Sequence, residues 1–232
     1  MESFQRKLWS ENHKKLSNCI LNPDLHESAV EVFLYLHALL FSSQMTHSQL
    51  ITLEDELFND ITEEALRKYP VKTPGTKNSI VWHLWHTTRI EDMTMNTLVH
   101  NDDQILFSGD WYNQLKVDFM HSGNGMSEEE VGELSSRINI DALFAYRLEV
   151  GRKTREIISS IIPGQLKEAV DPARLQKLED QGAVKKEESW LLDYWGKKTI
   201  AGLVLMPATR HNFVHLNKSI RIKQKYQKRK EQ

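Results

Sequence analysis

The sequence predicts an all-α protein, a four-helix bundle with short additional helices. Three observations carry that expectation. Apolar residues recur at helical spacing in several long segments. Strand-like alternation is scarce, and only ten Gly and six Pro interrupt 232 residues. Four long amphipathic helices must bury their apolar stripes, and an antiparallel bundle does this with short connections. The chain is expected to form one domain over 1–232, with residues 1–26 as an N-terminal extension and 218–232 as a basic helical tail. No internal repeat and no linker divides it.

The elements follow in order. Pro23-Asp24 marks a turn. Residues 28–46 then place Val30, Phe33, Leu34, His37, Leu40 and Phe41 on one helix face. A shorter helix is expected over 52–67. YPVKTPGTKNS breaks the pattern, and Asn78 or Ser79 caps the next helix, 79–100. In the mixed stretch after it, Ser127 with Glu130 fits a capping box. Asn139 or Asp141 opens a long amphipathic helix that stops before Pro163-Gly164. Residues 165–189 read as short surface helices rich in Lys and Glu. Thr199 to Met206 is helical in pattern, and Pro207 kinks that helix or opens a new one. The last helix carries His211 and His215.

Composition excludes several classes. The net charge is −2, so no overall basic field points to nucleic acid. The tail from Lys218 holds seven basic residues against Glu231, but only Tyr226 is there to stack on a base, and a solvated helix end is the simpler reading. The single Cys19 excludes an intramolecular disulfide and suits a reducing cytosol. The N-terminus lacks the apolar run of a signal peptide, and no stretch approaches a membrane span, so a cytoplasmic protein is expected. No glycine-rich phosphate loop is present, no Ser-His-Asp order can be argued, and Cys19 lies in no nucleophile motif.

Chemistry is left to the histidines. In MPATRHNFVHLNKS, His211 and His215 stand four apart and so share a helix face. Ten histidines allow such a pair by chance, and two histidines without a metal remain the plain alternative. A metal needs at least a third ligand, and the 79–100 helix offers His83 and His86, three apart. Glu91 and Asp92 could orient a ligand imidazole through its other ring N–H, or form a salt bridge with Arg89 or Arg210. Trp82, Trp85, Trp190, Tyr194 and Trp195 fit either a pocket lining or the core.

WHLWHTTRIED, with a histidine five residues before a glutamate, resembles the second helix of the DinB/YfiT-like family. TRHNFVHLN resembles that family's H-x-x-x-H helix, and the two occur in the family's order. The resemblance covers roughly residues 28–225. It implies a four-helix bundle with a divalent metal, zinc or nickel, held by His86, His211 and His215, with His83 beside the site or substituting for His86. It further implies a small-molecule substrate, a homodimer, and an ion that holds a low-molecular-weight thiol of the bacillithiol type for transfer to an electrophile. A metal-dependent hydrolase, or a non-enzymatic bundle that binds a small molecule or a partner, stands as the alternative.

Overall fold

In the computed structural model the described residues are 3–230, with side chains described for 6–228. Residues 1, 2, 231 and 232, and the side chains of Arg229 and Lys230 at the end of the basic tail, lie outside that part. The protein is all-α. Among the described residues the only β-type contacts are isolated bridges at Thr73–Thr76 and Ala169–Thr199. The helices are α1 (Ser3–Cys19), α2 (His26–Ala38), α3 (Leu53–Phe58), α4 (Glu63–Arg67), α5 (Ile80–Glu91), α6 (Trp111–Gln114), α7 (Glu128–Arg137), α8 (Ile140–Ser160), α9 (Pro172–Asp180), α10 (Trp190–Gly196), α11 (Ile200–Leu205) and α12 (Asn212–Lys230).

Capping chemistry sets most helix starts. Ser79 Oγ accepts from Trp82 N–H, and Asn139 accepts from Ala142 N–H. Ser127 and Glu130 form the expected capping box. Two segments differ from the expectation. The 28–46 helix ends at Ala38 and is followed by a short 3-10 turn at Ser43–Met45. The 52–67 segment is two helices, because Asp60 takes a left-handed φ of 54° and Thr52 and Thr62 each cap a new start.

The core is continuous through the helices. Trp9 and Leu16 of α1, Phe33 and Leu36 of α2, Trp85 of α5, Leu143 and Tyr146 of α8 and Leu216 of α12 are all buried. The N-terminal residues therefore contribute to the core: Trp9 stacks on Phe213 of α12 at 3.9 Å between ring centroids. α5 packs against both α8 and α12, and this contact positions the histidines. Trp85 and Trp195 are core residues, whereas Trp190 and Tyr194 are exposed.

Two helices are interrupted by π turns, at Asp92–Val99 after α5 and at Met206–His211 before α12. Pro207 explains the second. It has no N–H to give and its ring crowds the preceding turn. The loosened carbonyls find other partners. Thr209 Oγ1 lies 3.0 Å from Val204 O and 2.8 Å from Leu205 O, and His13 Nε2 donates to Leu205 O at 3.0 Å. An inserted residue rotates all that follows by about 100°, so this π turn determines which face of α12 meets α5. Among the described residues, no helix is long and apolar enough to cross a membrane.

Candidate metal centre

Three of the predicted histidines converge where α5 crosses the start of α12. Ligand atoms of His86, His211 and His215 all lie within 4.8 Å of one another. His86 Nε2 and His211 Nε2 face each other at 3.2 Å, and the His211 and His215 ring centroids are 4.4 Å apart. His86 is buried on α5, while His211 and His215 are half-buried, so solvent reaches the cluster from the α12 side.

His86 and His215 are held by different devices. His86 Nδ1 donates to the carbonyl of Ser122 at 2.6 Å, which leaves Nε2 with its lone pair toward His211. The Trp82 indole lies nearly parallel to the His86 ring, at 4.6 Å and 12°. The Ser122 carbonyl is delivered by a turn in which Gly123 has a φ of 87°, and a Cβ there would stand 2.6 Å from Trp85 Cζ3 and 3.4 Å from His86 Nδ1. Glycine is thus required twice at this position, by backbone conformation and by space.

His83 lies beside the cluster. Its Nδ1 is 2.9 Å from His215 Nδ1, and its Nε2 is 3.0 Å from Thr76 Oγ1. If His215 uses Nε2 as a ligand atom, its Nδ1 must carry the proton and donate to His83 Nδ1. His83 then donates from Nε2 to Thr76. This is the arrangement in which an outer group fixes a ligand's tautomer.

Glu91 and Asp92 are committed elsewhere. Glu91 Oε1 accepts from His37 Nε2 at 2.8 Å, and its Oε2 accepts from Asn212 Nδ2 at 2.7 Å. Asp92 pairs with Arg89 at 3.0 Å, accepts from Tyr146 Oη at 2.5 Å, and caps the backbone N–H groups of Ile105 and Leu106. Neither carboxylate orients a ligand imidazole. Glu91 acts one residue away, by anchoring Asn212 next to His211. Asn212 Oδ1 also accepts from Arg147 Nη1 at 3.1 Å, and Arg147 pairs with Glu54 at 2.9 Å. The buried network Glu54–Arg147–Asn212–Glu91–His37 therefore ties α2, α3, α5, α8 and α12 together behind the site. The sequence pattern did show His37 on a buried helix face. Nothing in the sequence singles out Arg147 or Asn212, whose partners lie far away along the chain.

Electrostatics keep the imidazoles neutral. Burial pushes His83 down to about 3, with the charges of His86 and Lys218 adding to it. Burial lowers His86 to about 4, against the Ser122 hydrogen bond, which favours the protonated ring. His211 and His215 lie well below the ordinary range, first through burial and then through the neighbouring histidines and Lys218. Neutral imidazole is the form that binds a metal. Two ring nitrogens facing each other at 3.2 Å either share one proton or hold one cation. His211 Nδ1 is buried without a hydrogen-bond partner among the described residues, so His211 can carry its proton on either nitrogen. The donor set of three imidazoles fits a divalent transition-metal ion. No protein-family model matches the chain, and no curated protein matches it.

Proposed function

We propose that the chain is a metal-dependent enzyme whose ion is held by His86, His211 and His215, built as a four-helix bundle of the DinB/YfiT-like kind, and that it transfers a low-molecular-weight thiol to an electrophile. The observation that supports this most is the convergence of three neutral imidazoles from two helices, with His86 fixed by Ser122 and His215 in contact with His83. A divalent ion bound there supplies positive charge that favours a thiolate over a thiol.

The chain's own residues do the rest. His83 receives the Nδ1 proton of His215 and keeps that ring in one orientation. Trp82 covers one face of His86 and excludes water from it. Lys218, one turn beyond His215, places a cation close enough to act on all four histidines, and the same charge favours an anionic sulfur. The test is thiol-dependent turnover, with bacillithiol and a model electrophile, by protein fully loaded with zinc or nickel. Turnover that needs both thiol and metal supports the reading. No thiol-dependent turnover by fully loaded protein contradicts it.

A further inference from the structure

The face of α12 that carries the histidines continues past them. His211, His215, Lys218, Ile222 and Lys225 are spaced four, three, four and three apart, so they form one stripe along the helix. The stripe runs into a cavity of about 380 Å³. Buried Val71 and Ile222 make its floor apolar, and exposed Pro70, Lys68, Lys72 and Lys225 stand at its rim. All three lysines are exposed, and among the described residues none of them pairs with a carboxylate. Lys225 Nζ donates to the carbonyl of Lys72 and so joins the two walls.

The same loop serves both places. Thr73 lines the cavity, and across the Thr73–Thr76 bridge Thr76 holds His83. Ile222 lies seven residues beyond His215, about 10 Å along the helix axis. Lys218 stands between them. An apolar floor with cations at its rim that no carboxylate neutralises suits a molecule with an apolar body and an anionic end.

We propose that this cavity binds the non-reacting end of the substrate, an apolar body bearing a carboxylate or phosphate, while the reacting end lies along Lys218 toward the histidine cluster. The inference rests on the metal-centre reading, and the experiment separates the two. The probe is 8-anilinonaphthalene-1-sulfonate, an apolar anion, titrated by fluorescence into the full-length metal-free protein. The double variant Lys72→Glu, Lys225→Glu is expected to weaken binding about tenfold, as suits reversal of two charges at an exposed ionic contact. Lys167→Glu, on another part of the surface, leaves it unchanged. Citrate and inorganic phosphate serve as competitors, and the stronger of the two identifies the anion class.

Equal binding by wild type and the double variant, or no displacement by either competitor, overturns the proposal. Cobalt(II) loading then tests the link to the cluster. Quenching of the bound probe supports it, and a bound probe left unquenched by retained cobalt overturns it. Failure to retain cobalt contradicts the metal-centre reading alone, and the charge variants still decide the cavity.

Discussion

Replacing His83 tests whether it orients a ligand or is one. Its Nδ1 meets His215 Nδ1 at 2.9 Å and its Nε2 meets Thr76 Oγ1 at 3.0 Å. His83→Ala removes the acceptor for the His215 proton and leaves that ring free to turn. Loss of such an outer partner weakens metal binding about 10–100-fold, or about 1.4–2.7 kcal/mol at 1.36 kcal/mol per tenfold. The shape of the contact gives a sharper test. In His83→Asn the amide oxygen stands near the position of the lost Nδ1 and can accept from His215, whereas in His83→Gln the polar end stands nearer Nε2, toward Thr76. Zinc affinity, measured by competition with a chromophoric chelator, should therefore fall in Ala and Gln and recover substantially in Asn. Recovery in Gln but not in Asn would refute the tautomer assignment. Complete loss of binding in all three would make His83 a ligand. Unchanged affinity in Ala would remove it from the site.

Three further outcomes follow from the same contacts. Gly123→Ala forces a side chain into a left-handed conformation and against Trp85 Cζ3 at 2.6 Å; urea unfolding should show a loss of about 2–4 kcal/mol, combining the conformational and overpacking costs, and an unchanged midpoint would contradict the packing. Arg147→Met leaves buried Glu54 without its partner and Asn212 without a donor, and should lower stability by about 3–5 kcal/mol, read as a drop in thermal midpoint. The pH dependence has a definite sign: His86 is held at about 4 by burial, so between the ordinary histidine value and pH 4 the unfolded chain takes up a proton that the folded chain refuses. Stability of the metal-free protein is therefore full above about pH 6.5 and falls as pH drops, by about 3 kcal/mol from His86 alone at pH 4. His86→Gln should flatten that slope in urea titrations, and an identical slope in the variant would count against the burial.

Helix existence and helix caps were legible in the sequence because they depend on local periodicity and on residues such as Ser79, Ser127 and Asn139. The break at Asn59-Asp60 was not read, although its devices are local: Asp60 takes the left-handed conformation and Thr62 caps a new start. Pro207 announced a disturbance before His211, but a kink and a π turn have the same local signal. The three histidines could be paired from spacing and order. The contact that holds His86 could not be read, because the Ser122 carbonyl comes from a loop 36 residues further along the chain. Glu91 shows the same limit: the sequence left it open to orient a ligand imidazole or to pair with an arginine, while the turn of the helix aims it at His37 and Asn212.

The central claim is that His86, His211 and His215 hold one divalent ion. Metal content of untagged protein, followed by titration with zinc and nickel, tests it most directly. The account predicts about one ion per chain, as expected for a single three-imidazole site, and a sharp fall in His215→Ala and His86→Ala. Protein that retains no metal and binds none at micromolar concentration would contradict it.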